Sequence, residues 1–172
     1  HIWLDPMIMS KAAGRMAQEL AQLDPAGSAY YNTRLENYRA RLEALDASYQ
    51  QRLSKCEYQD FIYAGHYAFG YLADRYQLQY EAAQGFSPDA ESSPQRLVQL
   101  AELLKNQAGE YVFAEELDSP QLAETLAKES GVKILRLNSA HNLSKADLRS
   151  GLSYLEIMAN NLETLSLGLK CQ

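Results

Sequence analysis

The sequence predicts an α/β protein in which a long connecting helix is followed by a four-stranded, mostly parallel sheet with helices on both faces. Two observations support this fold class. After residue 56, short apolar runs typical of buried strands alternate with segments of helical periodicity, whereas apolar residues before residue 56 recur only at helical spacing. Alternation of strands and helices is typical of a parallel sheet covered on both faces.

The composition is that of an ordinary globular protein with an acidic surface. Of the 172 residues, 47% are hydrophobic and 22% are charged, which is sufficient for one buried core. The net charge of −6 leaves no basic stripe to neutralise phosphates, so we expect no nucleic acid partner and no anionic membrane surface. No apolar run reaches the length that a bilayer span requires.

The chain opens with the end of a strand or loop that carries His1, followed by a predicted helix of about five turns. Asp5 is suited to cap this helix and Pro6 to occupy its first position. The pair Asp24 and Pro25 marks its end. Its apolar positions follow helical spacing and are Met9, Ala13, Met16, Leu20 and Leu23.

A longer helical pattern follows Gly27. No Gly or Pro interrupts the segment from Ser28 to Leu53, which predicts one helix on the order of 40 Å long. Its apolar positions step by four and three and are Tyr31, Leu35, Tyr38, Leu42, Leu45, Tyr49 and Leu53. A coiled-coil seam is the competing interpretation, but the run is short and tyrosine is unusual at a seam. We therefore predict a strut that lies across the body of the protein.

Strands and helices alternate over the rest of the chain. The predicted strands are Phe61–Ala64, Leu78–Ala82, Tyr111–Ala114 and Val132–Leu137. The predicted helices run from His66 to about Arg75, from Ser93-Pro94 onward, from Ser119-Pro120 to Gly131, and from Ser144 to the end of an apolar stripe at Leu169. Ser144 and Asp147 resemble a capping box for this single last helix.

Each of the three histidines lies at the edge of a predicted element. His1 precedes a helix cap, His66 follows the first strand and His141 follows the fourth. Open α/β sheets gather their ligands at the carboxyl ends of their strands, and imidazoles from separate segments suit Zn²⁺. A packed or helix-capping His66 is the structural alternative, and the spacing alone does not identify a metal site.

The other candidate residues leave alternatives open. Glu115 and Glu116 follow the third strand, where they either place a carboxylate at the same edge or form a solvated pair. Cys56 and Cys171 have no Cys-x-x-Cys spacing, so they are two buried thiols or one long-range disulfide. The glycine spacing of a dinucleotide loop, a phosphate-binding loop and the Gly-x-Ser-x-Gly elbow are all missing from the sequence.

Several motifs, taken in order, resemble those of one known family. They are His1-Ile2-Trp3-Leu4-Asp5-Pro6, the long helix, Gly65 to Leu72, the Ser87-Pro88 loop, Val112 to Glu115 and Ser153 to Leu162. Together they are similar to the TroA-like (cluster A-I) metal-binding proteins of bacterial ABC transporters, and to the zinc-uptake branch in particular. The resemblance covers essentially the whole chain.

The resemblance implies two α/β lobes, joined by one long rigid helix, with the metal between them. Residues 1–24 would be the tail of the N-terminal lobe, residues 25–55 the connecting helix, and residues 56–172 the C-terminal lobe. Most of the N-terminal lobe, with the family's first histidine ligand, would then lie outside this chain.

The resemblance also implies a set of metal ligands. His1 falls on the family's second ligand and His66 on its third, where histidine favours zinc over manganese. Relatives often carry aspartate just after the last strand, where this chain has Asn138. An amide is a poor zinc ligand, so His141 and water are the alternatives to Asn138 for the fourth position. Glu115 is a candidate to support the ligands by a hydrogen bond.

A binding protein and not an enzyme is the function that the resemblance implies. It would capture Zn²⁺ in the periplasm, or outside the cell on a lipid anchor in the membrane, and deliver the ion to an ABC transporter permease. A Mn²⁺ or Fe²⁺ binder of the same class and a zinc hydrolase with Glu115 as general base are the alternatives.

Three further expectations follow from the resemblance. Because the family is exported and the chain has two cysteines, we expect a disulfide between Cys56 and Cys171. We expect the complete protein to be a monomer. We expect this shorter chain to self-associate through the part of the long helix that loses its cover.

Overall fold

A helical hairpin forms the first third of the chain. In the computed structural model, which describes residues 1–87, 92–106, 109–117 and 120–172, a 3₁₀ turn at Ile2–Leu4 leads into α1 (Pro6–Leu23). A second turn at Pro25–Gly27 leads into α2 (Ser28–Leu53), which is one unbroken helix, as predicted. The segment that carries His1 was expected to be the end of a strand or a loop, and the structure shows the 3₁₀ turn instead.

Asp5 starts α1 in the predicted way. Its Oδ1 accepts hydrogen bonds from the main-chain N–H groups of Met7 at 2.7 Å and Ile8 at 3.2 Å, and Pro6 occupies the first helical position. These bonds satisfy donors that the first turn of a helix otherwise leaves unpaired. The cap therefore fixes where the chain turns from the segment of His1 into the hairpin.

Four strands form one sheet in the order β2-β1-β3-β4, and all neighbouring strands are parallel. They are β1 (Asp60–Tyr63), β2 (Gln79–Ala82), β3 (Tyr111–Glu115) and β4 (Lys133–Leu137). The observed bounds differ from the predicted ones by a single residue at several strand ends. The chain leaves β1 toward β2 on one side and resumes at β3 on the other, so the strand order reverses between β1 and β3. Such a reversal opens a crevice at the carboxyl ends of the strands.

Helices cover both faces of the sheet. Those that follow α2 are α3 (Gly70–Arg75), α4 (Pro94–Asn106), α5 (Gln121–Ser130), α6 (Lys145–Ser150) and α7 (Tyr154–Gly168). Because side chains alternate along a strand, Phe61 and Phe113 enter one core whereas Ile62 and Val112 enter another. The first core includes residues of α2, α3 and α7, and the second includes residues of α4 and α5. None of the described helices is both long and apolar enough to cross a membrane.

The helix predicted to begin at His66 begins four residues later, at Gly70. The intervening residues pair with the ends of the strands instead. The N–H of Tyr67 donates to the carbonyl of Gly85 at 2.9 Å, and the N–H of Phe69 donates to the hydroxyl of Tyr80 at 3.3 Å. These bonds attach the loop to β2 and to the segment after it, so they fix the loop that carries His66 against the sheet.

The predicted single last helix is two helices. Gly151 ends α6 in the left-handed region, with a φ of 73°, which glycine adopts without steric cost. Ser153 then starts α7 with a reciprocal capping box to Glu156. The apolar stripe continues across the break, and this continuity favoured one helix. Ser144 caps α6 as predicted, by accepting the N–H of Asp147 at 3.1 Å.

Two of the remaining predicted helix ends lie within the residues that the structure describes. Ser93 accepts the N–H of Arg96 at 3.2 Å at the start of α4, and Gly131 ends α5 with a φ of 79°, both as predicted. Pro88 of the predicted Ser87-Pro88 loop and Ser119 of the predicted start of α5 lie outside the described residues.

A disulfide joins Cys56 to Cys171, which confirms the pairing implied by the resemblance. It links the segment after α2 to the segment after α7. Main-chain hydrogen bonds flank it, from the N–H of Tyr58 to the carbonyl of Leu169 at 3.1 Å and from the N–H of Gln172 to the carbonyl of Lys55 at 3.3 Å. The two ends of the C-terminal α/β unit are therefore held together covalently.

Candidate metal centre

All three histidines meet at the carboxyl edge of the sheet. The ring centroids of His1 and His66 are 4.8 Å apart, those of His1 and His141 are 5.6 Å apart, and those of His66 and His141 are 6.0 Å apart. The three rings come from the residue before the first 3₁₀ turn, the loop after β1 and the loop after β4. Three distant segments therefore bring imidazoles to one place.

His66 is the buried member of this group, with 1% of its surface exposed. Its position is set by β1, which ends at Tyr63, and by the loop that returns to the end of β2. The hydroxyl of Tyr80 lies 3.4 Å from the carbonyl of His66, to which it donates. Burial raises the pKa of the Tyr80 hydroxyl, which keeps it protonated as a donor. The hydrogen bond from Tyr80 of β2 thus holds the backbone of His66 against the sheet.

His1 lies directly against His66. Their Nε2 atoms are 3.1 Å apart, a hydrogen bond in which one ring donates and the other accepts. The resemblance assigns His1 to the tail of the N-terminal lobe, yet its segment is tied to the C-terminal unit. Trp3 Nε1 donates to the carbonyl of Ser139 at 2.8 Å, and the hydroxyl of Tyr154 donates to the carbonyl of Trp3 at 2.7 Å.

His141 is solvent-exposed and uses both ring nitrogens within its own loop. Its Nδ1 bonds with the hydroxyl of Ser139, and its Nε2 lies 2.9 Å from the side-chain nitrogen of Asn142. The ring is therefore near the other two histidines without presenting a nitrogen to them. In keeping with this orientation, no group of three or more His, Cys, Asp or Glu side chains among the described residues is oriented so that it could hold a metal ion.

Asn138, the alternative ligand, is 7% exposed, and its carboxamide is engaged in shaping the loop. Its Oδ1 accepts the N–H of Ala140 at 2.8 Å, and its Nδ2 donates to Glu116 at 2.9 Å. Ala140 has a φ of 58°, which is unfavourable for a residue other than glycine. The Asn138 side chain stabilises this turn by bonding back to the main chain.

Glu115 is the last residue of β3 and is 4% exposed. Its two carboxylate oxygens have different partners. One accepts the hydroxyl of Tyr63 at 2.7 Å, and the other accepts the N–H of Ser139 at 3.1 Å. Glu115 therefore links β1 and β3 to the loop that carries His141. It is not the solvated carboxylate that the sequence left open as an alternative.

Sequence reasoning missed three residues that hold the histidine segments together: Trp3, Tyr154 and Asn161. Asn161 is 3% exposed and bonds to the main chain of Asn138. One signal was present in the sequence, because Asn161 is a polar residue among the apolar positions of α7. A polar side chain inside an apolar stripe requires a hydrogen-bond partner when it is buried.

Comparison with known proteins identifies the family. The model of the family described as zinc-uptake complex component A, periplasmic (ZnuA) matches residues 1–168. The high-affinity zinc uptake system protein ZnuA of Bacillus subtilis is 36% identical over 165 residues, which are 96% of this chain and 51% of that protein. The zinc-binding lipoprotein AdcA of Streptococcus pneumoniae is 36% identical over 96% of this chain and 33% of its own length. The chain thus spans about half the length of one of these relatives and a third of the other.

Solved structures agree with the family model. The laminin-binding protein Lbp of Streptococcus pyogenes superposes with a TM-score of 0.85 at 31% identity, over 98% of this chain and 65% of that one. The Zn(II)-bound ZnuA-like domain of Streptococcus pneumoniae AdcA superposes with a TM-score of 0.81 at 35% identity, over 98% of this chain and 63% of that one. Sequence and fold therefore agree over nearly the whole chain, and this chain belongs to the ZnuA family of zinc-uptake components.

Proposed function

We propose that this chain is the metal-binding part of an extracytoplasmic solute-binding protein. It captures Zn²⁺ and delivers it to the permease of an ABC transporter. The family description and the names of the zinc-binding relatives support this role. Because the chain spans about half of the Bacillus subtilis relative, the proposal concerns its contribution to a longer protein. That protein is periplasmic or held at the outer surface of the cell membrane by a lipid anchor.

The division into lobes is part of the same proposal. Residues 1–24 are the tail of an N-terminal lobe, residues 25–55 the connecting helix and residues 56–172 the C-terminal lobe. The hydrogen bonds of Trp3 support one refinement, since they attach the tail that carries His1 to the C-terminal lobe. His1 and His66 then bind the metal from one rigid unit.

The distance between His1 and His66 is the observation that carries the zinc proposal. Zinc binds imidazole nitrogen at about 2.0–2.1 Å in tetrahedral geometry, so two such nitrogens lie roughly 3.3–3.4 Å apart. The two Nε2 atoms are 3.1 Å apart here. The two nitrogens are therefore spaced almost as a shared zinc ion requires, and binding needs a small separation of the rings and a rotation that turns both lone pairs toward the ion.

His141 is the third ligand of the proposal. Its ring is 5.6 Å from that of His1, and it must exchange its bonds with Ser139 and Asn142 for a bond to the metal. Because His141 is exposed, water can replace the lost partners, so the exchange costs little free energy. Asn138 is less suited, since its carboxamide oxygen holds the turn at Ala140. Water completes the tetrahedral set.

The donor set favours zinc over manganese. Imidazole nitrogen suits Zn²⁺, whereas Mn²⁺ prefers carboxylate and other oxygen ligands. The nearby carboxylate of Glu115 already accepts bonds from Tyr63 and Ser139, and it supports the ligands through the loop. We propose a carrier and not a catalyst, with the zinc as transported cargo.

A competition titration tests the proposed function. The complete protein is stripped with a chelator and titrated with Zn²⁺ or Mn²⁺ against a chromophoric chelator, and the loaded protein is analysed for metal content. We expect one zinc per chain and a preference for zinc over manganese of at least about 100-fold. A protein that binds no zinc stoichiometrically, or that binds manganese as tightly, would overturn the proposal.

A further inference from the structure

Two polar residues on one side of α7 hold the segments that carry His1 and His141. Tyr154 and Asn161 are seven positions apart, which is about two helical turns, so both face the loops at the sheet edge. The hydroxyl of Tyr154 donates to the carbonyl of Trp3, two residues after His1. Asn161 bonds to Asn138, three residues before His141. A single helix thus contacts both segments.

The contact of Asn161 with Asn138 is a double hydrogen bond. The side-chain Oδ1 of Asn161 accepts the main-chain N–H of Asn138 at 3.0 Å, and its Nδ2 donates to the main-chain carbonyl of the same residue at 2.7 Å. Two bonds to one residue fix the direction of the chain where β4 ends at Leu137. Because Asn161 is 3% exposed, water cannot easily replace either bond.

The next residue, Ser139, is held from two further sides. Its N–H donates to Glu115 at 3.1 Å, and its carbonyl accepts from Trp3 Nε1 at 2.8 Å. Asn161, Glu115 and Trp3 therefore form a clamp around Asn138 and Ser139. The clamp fixes the main chain from which the exposed His141 side chain projects.

We propose that Asn161 is a positioning residue of the metal site, which sets the affinity for zinc by fixing the origin of the His141 loop. This inference rests on the proposed zinc-binding function. Without Asn161 the main chain of Asn138 loses both hydrogen-bond partners, so the loop is less ordered before zinc binds. Ordering the loop on binding then makes the binding free energy for zinc less favourable. Residues that orient a metal ligand typically change metal affinity by about 10- to 100-fold when they are replaced.

A double-mutant cycle in the complete protein distinguishes positioning from general destabilisation. Asn161→Ala is made alone and together with His141→Ala, and the affinity for Zn²⁺ is measured by chelator competition. Asn160→Ala is the matched control, because this neighbouring asparagine is exposed. We expect Asn161→Ala to weaken zinc binding about 10- to 100-fold in the wild-type background and to have almost no effect once His141 is removed. Asn160→Ala should leave the affinity unchanged.

A second variant covers the case in which Asn161→Ala does not fold. Asn161→Asp keeps the size of the side chain and the acceptor for the N–H of Asn138, but it places a carboxylate oxygen opposite the carbonyl of Asn138. It should therefore also weaken zinc binding, and only while His141 is present. If the new carboxylate of Asn161→Asp simply attracted the metal, its effect on zinc affinity would persist in the His141→Ala background. A positioning effect would vanish in that background. The visible absorption of bound Co²⁺ provides a second readout, since the loss of one nitrogen ligand changes its intensity.

The outcomes separate the two proposals. If His66→Ala abolishes zinc binding while the Asn161 variants behave like Asn160→Ala, the proposed function survives and the role of Asn161 is wrong. An equal effect of Asn161→Ala with and without His141 would also overturn the positioning role. If His66→Ala retains full affinity, the proposed function itself fails.

Discussion

At the scale of single residues, buried polar groups connect the helices to the site. Asp46 on α2 accepts two hydrogen bonds from Arg75, at 2.6 and 2.8 Å, and one from the hydroxyl of Tyr76 at 2.8 Å. Burial opposes the charge of Asp46, but the bonds from Arg75 and Tyr76 outweigh it and lower the pKa of the carboxyl group. This cluster joins the long helix to the end of α3, the helix that follows the His66 loop.

Replacing Asp46 with asparagine should lower the free energy of unfolding by about 2–3 kcal/mol at pH 7, less than the loss typical of fully buried ion pairs because Arg75 is partly exposed. A carboxyl group whose pKa is lowered by folding stabilises the protein above its unfolded pKa, near 3.9, and this contribution is lost as the pH falls through the lower folded value. The difference between wild type and Asp46→Asn should therefore shrink below about pH 4.

Urea unfolding at several pH values measures this difference. Asp74→Asn is the matched control, since Asp74 is an exposed aspartate on the neighbouring α3. We expect that variant to unfold like the wild type. A difference for Asp46→Asn that stays constant between pH 7 and pH 3 would contradict the assigned charge on Asp46.

The histidines were predictable from the sequence, whereas their supports were not. His66 and His141 each follow a predicted strand, so their meeting at one sheet edge follows from a parallel sheet, whereas the position of His1, which precedes a helix, does not. The bond from Trp3 to Ser139 spans 136 positions, and no local pattern in the sequence encodes it. The orientation of the His141 ring was equally unpredictable, because it depends on hydrogen bonds to its loop neighbours.

At the scale of elements, the residues that start and stop helices determined which helix predictions were correct. The long helix from Ser28 to Leu53 contains neither Gly nor Pro, and its bounds agree with the prediction. The last helix was predicted as one because its apolar stripe continues past Gly151, yet a positive φ at that glycine and the cap at Ser153 divide it. Stop signals at Gly151 and Ser153 therefore outweighed hydrophobic periodicity.

The disulfide should be a large contributor to the stability of the α/β unit. Cys56 and Cys171 are separated by 115 positions, and closing a loop of that length restricts the unfolded chain. We expect the double variant Cys56→Ser/Cys171→Ser to lose roughly 2–5 kcal/mol of unfolding free energy, with the fold retained.

Urea unfolding of the oxidised protein, the reduced protein and the double variant gives the comparison. Reduced wild type and the variant should have the same midpoint, below that of the oxidised protein. Titration with a thiol reagent under denaturing, non-reducing conditions should detect no free thiol, and finding two would exclude the bond.

At the scale of the whole molecule, α1 and α2 leave an apolar groove open to solvent. The groove has a volume of about 420 Å³ and is lined by Met16 and Leu20 of α1 and by Leu35 and Tyr38 of α2. Met16 is 66% exposed and Leu20 is 43% exposed. The buried residues of α2 lie toward its C-terminal end, where the helix packs into the core beneath the sheet. The apolar side chains of its N-terminal half lie outside that core.

We expect this chain on its own to self-associate through the groove, because burial of a continuous apolar surface is favourable. The double variant Met16→Glu/Leu20→Glu should shift the chain toward monomer in light scattering at high concentration. Leu148→Glu serves as the control, since Leu148 is 70% exposed on α6, outside the groove. Monomeric wild-type chain at high concentration would show that the groove does not drive association.

The central claim is that His66 is a zinc ligand in a site shared with His1 and His141. Titration of Zn²⁺ into the complete protein carrying His66→Ala, by competition with a chromophoric chelator, tests it most directly. Asn160→Ala again provides a control of matched chemistry. We predict a loss of zinc affinity of at least about 100-fold in His66→Ala, beyond that typical of residues that only orient a ligand. Zinc affinity equal to that of the wild type in this variant would contradict the account.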